Sequence, residues 1–142
     1  MKKRLFVDTA GWMACADRHD PAHAGCIVVR DERLRAGHLL VTTDYVLDET
    51  LTLLRLRLGL GAARDWWERV SQSPRLIVAD IDVELRDRAM DWFFRYEDKD
   101  FSFTDCTSFA FMRQEKIREA LTTDRHFLQA GFEVVGKGER EG

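Results

Sequence analysis

Four carboxylates stand where an apolar run ends or a helix begins. Asp8 follows Leu5-Phe6-Val7, and Asp124 follows Leu121-Thr122-Thr123. Asp105 opens a helical stretch in Ser102-Phe103-Thr104-Asp105, and Glu49 lies a little more than one turn into a stretch that begins at Asp44. Each has an ordinary structural use. Asp8 and Asp124 suit helix N-caps, Ser102-x-x-Asp105 resembles a capping box with Asp in place of Glu or Gln, and Glu49 suits a solvated face beside Arg55 or Arg57. Together they suggest chemistry. Four acids in one crevice repel one another and raise each other's pKa unless a cation neutralises them. Mg²⁺ or Mn²⁺ prefers such oxygen donors. With His and Cys read as not accompanying the acids, zinc is the weaker expectation.

The elements that must hold these acids alternate along the chain. Leu5–Val7 reads as a short strand, followed by a helix from about Gly11 to Arg18. Asp20-Pro21 reads as an N-cap with proline at the first helical position, and that second helix runs to about Ala36, where Gly37 stops it. Leu39–Val41 is the next strand. Residues 47, 51, 54 and 58 form an apolar stripe on a helix over Asp44–Leu58. Gly59 and Gly61 then precede a helix through Trp66 and Val70. Leu76–Ala79 is a strand, Val83–Tyr96 and Thr104–Ile117 are helices, and Ala120–Thr122 is a strand. A short helix over Arg125–Ala130 and a last strand over Phe132–Val135 complete the pattern. Strands alternating with helices predict an α/β fold, a three-layer α/β/α sandwich around a central parallel sheet. In such folds the carboxyl ends of the strands open on one edge, where ligands bind. The Asp8 and Asp124 ends then open on the same edge, and the helix start at Asp105 can face the same crevice.

The 142 residues suit one domain, expected over 1–136, with Lys137 to Gly142 as a frayed tail. The basic start gives way to only three apolar residues before Asp8, too few for a signal core. No stretch approaches the roughly 18 apolar residues of a membrane span. Cys15, Cys26 and Cys106 are odd in number and form no C-x-x-C pair, which predicts a reduced, cytoplasmic protein. His19, His23 and Cys26 do not make a zinc half-site, because Pro21 breaks the helical i, i+4 spacing. Trp66 and Trp67 point about 100° apart on a helix, so one of them is left for a dimer or partner groove. Trp92-Phe93-Phe94 reads as core or interface.

The ordered set Phe6-Val7-Asp8-Thr9, Tyr45-Val46-Leu47-Asp48-Glu49-Thr50, Ser102-Phe103-Thr104-Asp105-Cys106 and Leu121-Thr122-Thr123-Asp124 resembles the PIN domain. Within that family it resembles the VapC-type toxins of prokaryotic toxin–antitoxin pairs, from residue 6 to about 135. The resemblance implies a metal-dependent endoribonuclease whose acidic quartet falls on Asp8, Glu49, Asp105 and Asp124. Asp8 and Asp105 would be the most direct ligands of Mg²⁺ or Mn²⁺, and no His general base is required. Thr9, Ser102 and Thr104 match supporting hydroxyl residues. Asp48 rivals Glu49, which the family pattern favours, and Asp98 and Asp100 are candidates for an outer shell. The resemblance also implies an RNA substrate, a VapB-like antitoxin lying across the groove, and a homodimer.

Arginine outnumbers lysine among the 22 basic residues, and arginine suits phosphate contact and stacking. Arg18 and Arg125 are the candidate phosphate contacts; Arg4, Arg55 and Arg57 are expected to be solvated or paired. Two other enzyme classes fit poorly. A receiver domain wants an adjacent acidic pair after the first strand, and a haloacid-dehalogenase-like phosphatase wants an acid where Ala10 stands. The alternative from another class is a PIN-like RNA-binding or scaffold subunit that does not cut. The net charge of −3 excludes a histone-like coat but not RNA. Setting four quartet acids aside from 25 leaves 21, against 22 basic residues.

Overall fold

The computed structural model describes residues 3–136; the expected tail over 137–142 lies outside them. β1 (Arg4–Val7) leads into α1 (Thr9–Ala16) and α2 (His23–Arg35), then β2 (Leu39–Thr43). The helices α3 (Asp44–Leu58) and α4 (Leu60–Ser71) precede β3 (Leu76–Ala79). After α5 (Val83–Arg95) and α6 (Phe103–Glu115) come β4 (Glu119–Thr122), α7 (His126–Gln129) and β5 (Glu133–Gly136). The five strands form one all-parallel sheet in the order β3-β2-β1-β4-β5. This is the α/β/α arrangement expected from the alternation.

The central strands are short and apolar because both their faces are covered. Leu5, Phe6 and Val7 are all fully buried, so β1 shows no alternation of polar and apolar residues. Successive side chains of a strand point to opposite faces. Phe6 meets Phe111 of α6 and Phe127 of α7 at 6.1 and 6.2 Å, while Val7 faces α1 at Gly11. The α6 side holds an aromatic cluster around fully buried Phe109, whose ring lies 4.9 Å from Phe127 and 5.1 Å from Phe101. Each such ring contributes about 1.5–3 kcal/mol by burial alone. β3 and β5 are the two edge strands, and on β3 Ile77 and Val78 are exposed. Trp66 packs edge-on against Trp12 at 5.4 Å, and Trp67 is left 39% exposed, the division that the helical geometry requires.

Two helices start two residues from where they are expected: α1 spans Thr9–Ala16, earlier, which leaves Arg18 beyond its end. α2 begins at His23, not at Pro21. Asp20 does not cap it; its carboxylate accepts the N–H of Ala22 at 2.8 Å, and its carbonyl accepts from His23 at 2.9 Å. The chain makes a turn there before the helix starts. No helix among the described residues is long and apolar enough to cross a membrane.

The chain runs out from β1 through β2 to β3, then returns to add β4 and β5 on the other side. The switch point therefore lies between β1 and β4. Here α1 sits directly on the backbone of β4, and a Cβ on Gly11 would collide with the carbonyl oxygen of Leu121. A larger residue at Gly11 must push α1, and Asp8 with it, off the sheet. Gly11→Ala is expected to lower the melting temperature by about 5 °C or more, the scale of an overpacked core site; an unchanged value in thermal unfolding would show that α1 can shift freely.

Candidate metal centre and active site

Asp8 occupies the single position between β1 and α1. Its extended backbone lets Oδ1 accept the N–H of Gly11 at 2.8 Å, which makes it the N-cap of α1. Its other oxygen accepts from the hydroxyl of Thr122, the last residue of β4, at 2.8 Å. Thr122 Oγ1 in turn accepts the N–H of Asp124 at 2.9 Å. One threonine thus ties the first acid to the fourth across the switch point. Glu49 arrives from α3, where Thr43 caps the helix by accepting the N–H of Val46. The hydroxyl of Thr9 donates to Glu49 Oε1 at 2.6 Å. Asp105 comes from the first turn of α6, in a complete capping box with Ser102: each side chain accepts the other's backbone N–H, at 2.9 and 3.1 Å.

Thus Asp8, Glu49, Asp105 and Asp124 all line one cavity of about 360 Å³ at the carboxyl edge of the sheet. Thr9 and Ser102 line it too, whereas Thr104 does not; its carbonyl accepts the hydroxyl of Thr107. Asp48 is exposed and does not line this cavity, Asp100 lines it, and Asp98 is exposed beside Lys99. Arg18 and Arg125 are both exposed and line none of it.

Three lining residues escaped the sequence reading. Arg57, expected to be merely solvated, lies with Glu49 and Leu53 on one α3 face, because residues four apart share a face. Asp20 enters from the turn before α2. The third is His126, and it corrects the expectation that no histidine accompanies the acids. Asp124 Oδ1 accepts the backbone N–H of His126 at 2.8 Å, an Asx-type turn that folds the ring back. His126 Nδ1 then lies 3.0 Å from Asp105 Oδ2 and 3.2 Å from Asp124 Oδ1. The ring rests edge-on against Phe101 at 5.5 Å. The Asp124-x-His126 spacing was the available signal.

The electrostatics are those of a site short of positive charge. Burial pushes the Asp8 carboxyl up to about 8, against the lowering effect of its hydrogen bonds from Gly11 and Thr122, and the charges of Asp124 and Asp105 add to the rise. Asp105 is also raised, by burial first and by Asp124 second. Ligand atoms of Asp105, Asp124 and His126 lie within 4.8 Å of one another. A divalent cation fits this donor set. The imidazole removes one ground for setting zinc aside, although carboxylates outnumber it and no cysteine lines the cavity.

An all-parallel sheet with an acidic cavity at its switch point describes a recognised class. The chain belongs to the PIN domain family, whose profile matches residues 5–133. It is 35% identical over 133 residues to the 23S rRNA-specific endonuclease VapC20 of Mycobacterium tuberculosis, covering 92% of this chain and 97% of that one. The crystal structure of that protein, described as a sarcin–ricin loop cleaving toxin, aligns with a TM-score of 0.79 at 34% identity, over 90% of this chain and 95% of the other. VapBC2 from Rickettsia felis aligns at 0.70 with 11% identity, and FitAcB from Neisseria gonorrhoeae at 0.69 with 16%. Each covers 92% of this chain and 96% of its own, and these two show the fold alone.

The raised Asp8 carboxyl carries a stability signature. Its ordinary value is 3.8, so between about pH 4 and pH 8 the unfolded chain releases this proton and the folded chain keeps it. Stability of the metal-free protein therefore falls as pH rises through that window and levels off above it. Asp8→Asn should raise the melting temperature by about 5 °C or more at pH 8 and change it little at pH 4. Parallel melting profiles for the two proteins would refute this assignment.

Proposed function

We propose that the protein is a divalent-metal-dependent endoribonuclease, the toxin of a VapBC-type toxin–antitoxin pair. The observation that carries the reading is the convergence of Asp8, Glu49, Asp105 and Asp124 on one cavity at the switch point. Similarity to VapC20 over nearly the whole chain supports it and makes the sarcin–ricin loop of 23S rRNA the first substrate to test.

In this reading Asp8, Asp105 and Asp124 hold Mg²⁺ or Mn²⁺, and Glu49 completes the site directly or through water. When bound, such an ion supplies Lewis acidity that acidifies water and offsets phosphate charge. The remaining work falls to the chain's own residues. Thr9 orients Glu49, and Thr122 and Gly11 fix both oxygens of Asp8. His126 holds Asp105 and Asp124 together. Arg57, at the same cavity, is placed to meet a phosphate oxygen. Ser102 keeps Asp105 pointed inward through the capping box.

A toxin of this type also binds proteins, a VapB-like antitoxin and a second copy of itself. Exposed apolar side chains support such contacts: Phe94 is 71% exposed on α5, Leu56 is 75% exposed on α3, and Ile77 and Val78 line the open sheet edge.

The test is RNA cleavage with mapped 5′ ends, using ribosomal RNA that contains the sarcin–ricin loop, with Mg²⁺, with Mn²⁺ and with EDTA. Cleavage is expected with either ion and not with EDTA, and Asp8→Asn should slow it by roughly two orders of magnitude or more. Undiminished cleavage in EDTA, or by the folded Asp8→Asn protein, would contradict the reading.

A further inference from the structure

Behind the acidic cavity lies a second one of opposite sign. It has a volume of about 160 Å³ and is lined by Trp92, Arg95, Tyr96, Lys99, Phe101 and Arg113, with Gln129 and Ala130 closing one side. Among the described residues three cations face it and no carboxylate does. Arg113 stacks its guanidinium over the Trp92 ring at 4.9 Å. Lys99 is paired only with exposed Asp98 beside it, a contact of the kind worth little in water. The Arg95 side chain makes no hydrogen bond or ion pair among the described residues and is exposed.

The two cavities share a wall. Lys99 and Phe101 line the basic one, while Asp100 and Ser102, alternating with them in sequence, line the acidic one. Phe101 touches Tyr96 at 6.2 Å on the basic side and His126 at 5.5 Å on the acidic side. Tyr96 is 39% exposed. Cations beside an accessible aromatic ring are the two elements that single-stranded nucleic acid requires: charge for phosphates and a flat surface for a base.

We propose that this cavity binds a nucleotide of single-stranded RNA flanking the scissile phosphate, with its phosphate on Arg95, Lys99 and Arg113 and its base stacked on Tyr96. The proposal rests on the nuclease reading above, and it assigns RNA contact to residues outside the acidic site. Arg113 also lines a neighbouring cavity with Lys116 and Arg118, opposed by Glu133 alone.

Binding can be measured apart from cleavage. Asp8→Asn protein is titrated with a short fluorescein-labelled single-stranded RNA, and anisotropy is followed over a series of KCl concentrations. Adding Arg95→Gln, Lys99→Gln or Arg113→Gln should each weaken binding about three- to ten-fold. The triple variant should flatten the slope of log affinity against log salt by about 0.7, the share of the one phosphate that the three cations hold. Tyr96→Ala should weaken binding about ten-fold and leave the slope unchanged, because stacking releases no counterions. Thermal melts establish that each variant is folded, and Arg95→Gln, which removes no observed contact, is the variant least exposed to that concern. Unchanged RNA affinity and slope in folded Arg95→Gln and the triple variant would overturn the proposal. So would binding of a poly-glutamate peptide, lost in the triple variant, where RNA binding is retained. The nuclease reading fails separately, if the unmodified protein cuts no RNA while its Asp8→Asn form still binds RNA through these cations.

Discussion

The structure depends on keeping one carboxylate, Asp8, out of water at the point where the strand order reverses. Thr122 and Gly11 supply hydrogen bonds to its two oxygens, yet burial still outweighs them and holds the carboxyl near 8. Nothing in the fold alone needs so costly a group there, because a serine or an asparagine would cap α1 as well. The arrangement is coherent if positive charge is to be delivered from outside. The same constraint explains Gly11: α1 must lie on the carbonyl of Leu121 for Asp8 to reach Thr122.

Around Asp8, the devices that shape the backbone also aim the chemistry. The capping box that starts α6 points Asp105 at the cavity, and the Asx turn after β4 brings His126 between Asp105 and Asp124. Thr9 both begins α1 and holds Glu49. Asp8 caps α1 and Asp105 completes the capping box of α6, and both carboxylates line the acidic cavity. A cap fixes a carboxylate relative to a helix axis, and that rigidity is what an orienting site requires. Beneath it the Phe101–Phe109–Phe127 cluster supports the His126 ring.

The sheet and the four acids were legible because both write themselves locally. A strand buried on two faces is a short apolar run, and a polar residue ending that run marks the strand's carboxyl edge. The start of α2 was not legible, because Asp20-Pro21 carries the same residues whether it caps a helix or makes a turn before one. His126 was missed because its contact depends on a turn made by the side chain of Asp124, and periodicity does not report such turns. Arg57 sits two turns beyond Glu49 on a helix whose apolar stripe drew attention to a different face. The basic cavity was invisible for a further reason: Arg95, Lys99 and Arg113 come together only through the packing of α5 on α6 and the loop between them.

The acidic cavity is poised for a cation because burial holds Asp8 protonated without one. Isothermal titration of Mn²⁺ into the protein at pH 7, repeated in buffers of different ionisation enthalpy, counts the protons released on binding. A carboxyl raised to about 8 should release close to one proton per bound ion, and Asp8→Asn should release almost none. Absence of Mn²⁺ binding, or tight binding with no proton released at pH 7, would contradict the account.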